Sequence, residues 1–198
     1  MAPDIADDAE GDPSYAFKPS PMAAMSQFTL RPEVLEWQVG GRDGCTPYDR
    51  IQAVRLSYRP VSIQAHRFVT EIRCPGRSKI QIASVSWRSM VEQERFDRDY
   101  AAFIIELHRR LATAGGAVQF SAGLPAAIYW VGAAMFAGVM IAMAVLVMRS
   151  LQTQQWSAAA VVGAFFVVFA VQIGNYFRRN RPGRYRPDAI PAKLLPNK

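Results

Sequence analysis

Apolar residues recur at every second position through much of the stretch from residue 28 to residue 87. Successive side chains of a β-strand point to opposite faces, so this alternation predicts strands with one buried face. Turn residues separate five such runs, which together predict an antiparallel, locally connected sheet. The apolar positions of the runs are Phe28 and Leu30; Leu35, Trp37 and Val39; Val54, Leu56 and Tyr58; Phe68, Thr70, Ile72 and Cys74; and Ile80, Ile82, Val85 and Trp87, with a bulge expected at Ala83 and Ser84.

After Phe96 the spacing of apolar residues changes from two to 3.6, which is the period of an α-helix. Asp97 and Asp99 suit the amino end of such a helix, and Arg109 and Arg110 suit its carboxyl end. One amphipathic helix after the last strand is the available cover for the open apolar face of the sheet. The predicted stripe consists of Tyr100, Phe103, Ile104, Leu107 and Leu111.

The beginning of the chain has a different composition. Residues 1–25 are acidic and then rich in Pro, Ser and Ala, with few large apolar side chains. Such a segment buries too little surface to offset the entropy of ordering, so a flexible tail is predicted. The folded α+β domain is therefore expected to span residues 26–116, ending at Gly115 and Gly116.

Two long uncharged segments follow the domain. No Asp, Glu, Lys or Arg occurs in the thirty-eight positions between Arg110 and Arg149, and none occurs from 156 to 177. About 20 apolar residues are enough to cross about 30 Å of hydrocarbon as a helix. We predict transmembrane helices at 124–148 and 156–177, which the short connection makes antiparallel neighbours.

Residues at the ends of these segments predict how the hairpin lies in a bilayer, because Tyr and Trp favour the interfaces and Arg and Lys stay on the cytoplasmic side. Residues 1–110 hold equal numbers of acids and bases, so the net charge of +7 comes from Arg149 and the basic tail 178–198. Both termini are therefore expected in the cytoplasm, with the tail near lipid headgroups. The expected interface residues are Tyr129, Trp130, Trp156, Tyr176, Arg178, Arg179 and Arg181.

Small residues at four-residue spacing predict close packing between the two helices, with homodimerisation as the alternative. Gln172 and Asn175 share a face of the second helix and are expected to form interhelical hydrogen bonds; a polar pathway through the membrane is the alternative. The small residues are Ala134, Gly138 and Ala142 in the first helix, and Gly163, preceded by Ala159, in the second.

No arrangement typical of catalysis, metal binding or cofactor binding occurs in the sequence. Cys45, Cys74, His66 and His108 lack the spacing of a metal site and are interpreted as free thiols and surface histidines. Neither glycine pair is followed by the residues of a phosphate-binding loop. The acids at 92–99 alternate with arginines at a helix start, which favours capping over acid–base chemistry. We therefore expect a non-enzymatic protein without cofactors.

A run of antiparallel strands closed by one helix resembles the PH-like domains of bacterial membrane proteins. The residues behind the resemblance are the strands at 28–30 and 35–37, the segment 47–51 and the helix that ends at Leu111. A split barrel of this family has seven strands, so two weak strands are expected near 46–51 and 61–64. The resemblance implies a small barrel that serves in binding or assembly at a bacterial inner membrane.

The expected function is a membrane-anchored binding or assembly module whose partners are membrane lipids and a protein, including a second copy of the chain. The alternative is an accessory subunit of a larger membrane transport or enzyme complex. Nucleic acid is not an expected partner, because the excess bases lie in a tail and not on a folded face. Contact with lipid headgroups is one interpretation of the bases on the strands, which exposed alternation also explains: Arg55, Arg59, Arg67, Arg73, Arg77 and Lys79.

Overall fold

A computed structural model describes residues 11–60, 66–76, 79–90 and 92–196 of the chain. In this part of the chain, strands dominate the first half and two long helices the second. The strands are β1 (Ser14–Phe17), β2 (Ser26–Leu30), β3 (Val34–Val39), β4 (Arg42–Pro47), β5 (Ala53–Tyr58), β6 (Phe68–Arg73), β7 (Ile80–Ala83), β8 (Val85–Trp87), β9 (Gln93–Arg95), β10 (Gln119–Ala122) and β11 (Gly183–Arg184), and the helices are α1 (Asp97–Thr113), α2 (Ala126–Gln152) and α3 (Trp156–Arg179).

The strands form two main sheets and one small hairpin. The first sheet is an antiparallel meander in the order β1-β2-β3-β4, and β8 pairs with β9. The second sheet has the order β11-β10-β5-β6-β7, in which β5, β6 and β7 form another antiparallel meander and β10 runs parallel to β5. These antiparallel sheets and helices confirm the predicted α+β class.

The core lies between the apolar faces of the sheets and helix α1. All five residues of the predicted helical stripe are buried, which confirms the 3.6-residue pattern. Strand residues such as Phe28, Leu56 and Ile72 are fully buried, as their alternation predicts. Helix and second sheet are also joined by a hydrogen bond of 2.7 Å between the hydroxyl oxygens of Thr70 and Tyr100.

Strand β1 corrects the predicted flexible tail of residues 1–25 at positions 14–17. Tyr15 and Phe17 are buried, and the Tyr15 hydroxyl donates a hydrogen bond of 2.7 Å to the Ala83 carbonyl oxygen. Two apolar residues among prolines are too short a run to predict a strand, and pairing with β2 supplies the missing stabilisation. Residues 1–10 lie outside the described part of the chain.

The fifth predicted run is two strands and not one bulged strand. At Ser84 the chain leaves β7, which pairs with β6, and enters β8, which pairs with β9. Ser84 holds the break, because its hydroxyl accepts from the Phe68 amide and its carbonyl accepts from the Phe96 amide. A weak strand expected at 46–51 overlaps only the end of β4, and the one expected at 61–64 lies outside the described residues.

The domain also extends beyond its predicted end at residue 116. Strand β10 joins the second sheet, and β11, which follows the long helices, pairs with β10. Leu194 is fully buried in the same core, so most of the predicted basic tail 178–198 belongs to the folded domain. Pairing between strands sixty residues apart leaves no local pattern, which is why the alternation did not reveal it. Residues 197 and 198 are not described.

Helices α2 and α3 occupy the two uncharged segments. They contain 27 and 24 residues, which corresponds to about 40 Å and about 36 Å of helix. Both are therefore long enough and apolar enough to cross a membrane. The helix bounds differ from the predicted 124–148 and 156–177 by at most four residues, and the two helices pack side by side.

Candidate membrane-proximal site

Both ends of the helical hairpin attach to neighbouring strands of the second sheet. Three residues separate β10 from the start of α2, and three residues separate the end of α3 from β11. Because β10 and β11 pair with each other, the hairpin leaves and re-enters the domain at one place. The Leu124 amide donates to the Asn180 carbonyl oxygen at 3.0 Å and thereby links the two crossing points.

The side chain of Asn180 completes the sheet at this junction. Strand β10 ends at Ala122, and the Gly123 amide makes the next hydrogen bond, to the Leu56 carbonyl oxygen at 2.7 Å. The following backbone groups of β5 belong to Tyr58. Asn180 Oδ1 accepts from the Tyr58 amide at 3.0 Å, and Asn180 Nδ2 donates to the Tyr58 carbonyl at 2.7 Å. Asn180 is fully buried, so it replaces a strand partner with both of its polar atoms.

Gly123 permits the close approach of the two crossing points. Its φ of +74° lies in the left-handed region, which disfavours side chains. A Cβ at this position would lie 2.6 Å from the Asn180 carbonyl carbon and 2.7 Å from the Arg181 carbonyl oxygen. Both are backbone atoms, so they cannot move aside without breaking the junction.

Six of the seven predicted interface residues lie at this domain end of the hairpin. Tyr129 and Trp130 are in the first turn of α2, and Tyr176 to Arg181 include the last turn of α3. The Arg179 guanidinium lies 4.9 Å from the centre of the Tyr58 ring, as in a cation–π contact, and Arg178 donates to Asn175 Oδ1 at 3.0 Å. Trp156 starts α3 and marks the opposite end.

Aromatic rings make the contact between α2 and α3. The Phe136 ring lies 5.7 Å from that of Phe169 and 5.6 Å from that of Phe177, measured between ring centroids. Such rings hold the helix axes apart, so the predicted packing through small residues is corrected at three positions. Ala134, Gly138 and Ala142 lie on the exposed side of α2.

The polar and small residues predicted on α3 also lie away from the contact with α2. A Cβ on Gly163 would meet no heavy atom within 4 Å. Gln172 and Asn175 are exposed, and Asn175 Oδ1 accepts its hydrogen bond from Arg178 of the same helix. These two amides therefore do not fill the predicted interhelical role between α2 and α3.

A polar row crosses the outer face of the second sheet beside the junction. Strand register places Arg184, Ser121, Arg55, Glu71 and Gln81 directly opposite one another on the five strands. Residues two positions away share this face, because side chains alternate along a strand. They add four bases, so six basic side chains face one carboxylate among the described residues: Arg55, Arg59, Arg67, Arg73, Lys79 and Arg184 against Glu71.

The carboxylate of Glu71 is paired within this face. Its Oε1 accepts from Arg59 Nη2 at 2.7 Å, from Gln81 Nε2 at 2.8 Å and from Lys79 Nζ at 3.3 Å. Burial raises the pKa of this carboxyl, but the charges and hydrogen bonds of Arg59 and Lys79 outweigh burial and lower it overall. Glu71 therefore stays ionised at neutral pH and uses two of the six bases.

A pocket of about 470 Å³ opens on this face at the root of the hairpin. Its walls combine three guanidinium groups from three strands with the first residue of α2. The wall residues that matter for its chemistry are Arg55, Arg73, Arg184, Ser121, Leu124 and Ala126. A cation-lined pocket against a membrane helix is suited to an anionic group at a membrane surface.

His108 is a core residue, which corrects its interpretation as a surface histidine. It is fully buried; Nδ1 donates to the Ile104 carbonyl oxygen at 2.7 Å, and Nε2 accepts from the Tyr185 hydroxyl at 2.8 Å. Burial lowers the pKa of His108 to about 4, so the ring is neutral at physiological pH. It fastens the returning chain to α1. His66 contacts the Tyr58 hydroxyl and is half-buried.

Comparison with protein-family models, with curated proteins and with solved structures found no match. The residues that build the junction and the pocket therefore have to be interpreted from their geometry alone. Asn180, Gly123 and Arg184 were not singled out by the sequence, because their roles depend on pairing across the hairpin. The only available signal is that each lies within a few residues of a predicted span.

Proposed function

We propose that this protein is a membrane-anchored, non-enzymatic binding or assembly module. Two helices long and apolar enough to cross a membrane carry the proposal. Their attachment to adjacent strands supports it, because two crossing points fixed to one sheet hold the domain at a set place on the bilayer. A flexible linker would leave the domain free to rotate, whereas here three residues join strand to helix on each side.

The strand order supports a PH-like barrel as the domain that is presented. A four-stranded meander, a three-stranded meander and a later helix over the core are the parts that such a barrel needs. The chain adds β10 and β11 to the second meander, and these two strands carry the hairpin. The proposed barrel is therefore built around its membrane attachment.

Charge supports a cytoplasmic location for the domain and for both termini. Arg178, Arg179 and Arg181 lie at the domain end of the hairpin, whereas the opposite end has Arg149. Bases are retained on the cytoplasmic side, so this asymmetry favours a domain inside the cell and a short turn outside. A bacterial inner membrane is the proposed location.

Two measurements test the anchor and its orientation. Membranes washed with alkaline carbonate should retain the protein, and its release would contradict the hairpin. For orientation, Cys74→Ala leaves Cys45, which is exposed on β4, as the only thiol. An impermeant maleimide should label Cys45 only after spheroplasts are permeabilised. As the matched control, Gln155→Cys without the native cysteines should be labelled in intact spheroplasts; the reverse pattern would contradict the orientation.

An accessory subunit of a larger membrane complex is the second candidate, and exposed Gln172 favours it. A carboxamide on the outside of an apolar helix is costly in lipid unless another protein helix supplies a partner. Native purification tests this proposal: a partner of fixed stoichiometry should be lost with Gln172→Leu and kept with Val171→Leu. Migration of the wild-type protein without a partner would contradict it.

A further inference from the structure

We propose that the pocket between Arg55, Arg73 and Arg184 binds the phosphate of an anionic phospholipid from the membrane that holds the hairpin. This inference rests on the proposed membrane anchor and assigns a ligand to the surface beside it. Guanidinium groups present fixed pairs of N–H donors that match phosphate oxygens. Three of them converge here from β5, β6 and β11.

The arginines on this face have hydrogen-bonding capacity that the fold leaves unused. Arg55 Nε donates to Ser121 Oγ at 3.2 Å, whereas Arg55 Nη1 is buried and meets no acceptor among the described residues. Arg67 Nε is in the same situation. Buried donors are normally satisfied, so two of them on one basic face indicate an absent acceptor.

The balance of charge also favours an anion. Six bases and one carboxylate leave five positive charges on this face in the described part of the chain. Burial lowers the pKa of Arg67, and the nearby charge of Arg59 lowers it further, so these two cations destabilise each other. A bound phosphate would relieve this repulsion and would accept from the unpaired donors.

The position of the pocket identifies the phosphate as that of a lipid. Leu124 and Ala126 form part of its wall, and Ala126 is the first residue of α2. A lipid that lies alongside α2 would place its headgroup at this level and its acyl chains along the exposed apolar side of the helix. A soluble phosphate would gain nothing from that apolar wall. The volume of about 470 Å³ accommodates a phosphoglycerol headgroup.

Native mass spectrometry of the full-length protein in neutral detergent tests the site. The protein is offered equal amounts of phosphatidylglycerol and phosphatidylcholine, which differ in headgroup charge. We expect one tightly retained phosphatidylglycerol and a preference of at least about tenfold over phosphatidylcholine. Arg73→Gln with Arg184→Gln, both exposed positions, should reduce that preference to nearly none.

The matched control removes two equally exposed charges elsewhere, with Arg42→Gln and Arg50→Gln. It should keep the preference, and an equal loss would overturn the pocket in favour of general charge attraction. Inorganic phosphate is the second arm: displacement of the lipid at a concentration similar to that of the lipid itself would overturn a lipid site. Equal retention of the two lipids by the wild-type protein would overturn it as well.

Carbonate washing of the same variants separates this inference from the proposed anchor. The wild-type protein and the Arg73→Gln, Arg184→Gln variant should both stay in the membrane, because neither residue lies in a helix of the hairpin. Release of the wild-type protein would contradict the anchor. Retention of both without a lipid preference would overturn only the lipid site.

Discussion

Substitution of Asn180 by alanine tests whether the hairpin is fixed to the domain. Asn180 occupies the position of a strand partner for Tyr58, with hydrogen bonds of 3.0 Å to its amide and 2.7 Å to its carbonyl. Alanine removes both bonds and leaves two backbone groups of β5 without a partner in a buried place. A buried polar group that loses its partner costs about 1–3 kcal/mol.

Two such groups give an expected loss of about 2–4 kcal/mol for the junction. The loss should be local, because the other β5 hydrogen bonds belong to β10 and β6. Hydrogen exchange is the suitable assay, since it reports each backbone amide separately. At about 1.4 kcal/mol per factor of ten, the Tyr58 amide should exchange at least about 30-fold faster in the variant.

Asn175→Ala provides the matched control on the same helix. Asn175 is exposed, and its one printed-out role in the fold is to accept a hydrogen bond of 3.0 Å from Arg178 at the surface. Its loss should change stability by less than about 0.5 kcal/mol and leave Tyr58 exchange unchanged. The structural role of Asn180 is refuted if the alanine variant exchanges Tyr58 as slowly as the wild-type protein does.

Three further predictions concern stability, measured by denaturant unfolding of the protein in detergent. Gly123→Ala should cost at least about 2 kcal/mol, because strain and a backbone clash add; Gly115→Ala, with φ of +67° and open space, should cost only about 1 kcal/mol, and equal losses would contradict the clash. His108 binds a proton in the unfolded chain below its usual pKa of 6.5 but in the folded protein only near 4, so stability should fall by up to about 3 kcal/mol as pH drops from 6.5 to 4; an equal pH slope in His108→Gln would contradict this. Tyr100→Phe should cost about 1–3 kcal/mol by leaving the Thr70 hydroxyl buried alone, and a neutral effect would show that another partner replaces it.

Elements with a strong internal period could be predicted from the sequence. The stripe of α1 and the alternating positions of β2, β5 and β6 need only one face to be buried, which neighbouring residues record. The two long helices were predictable for a related reason, since an uncharged stretch of this length has few other uses. Strand β1 was missed because two buried residues, Tyr15 and Phe17, do not establish a period.

The pocket was only partly predictable. Arg55 and Arg73 were recognised as bases that alternate along strands, but solvent exposure explains such residues equally well. Arg184 belongs to a segment that was predicted to be a tail. Its pairing with Ser121 crosses the whole hairpin, and only the folded chain brings it to the other arginines.

The sequence by itself determined the α+β class, the amphipathic helix and two segments able to span a membrane, because each depends on hydrophobic patterning within one stretch of chain. Tertiary structure alone decided that the tail returns to the sheet, that Asn180 completes β5, and that three arginines surround one pocket. Those features depend on hydrogen bonds and charges between residues distant in sequence. Such contacts have no period, so they become visible only when the fold places their partners together.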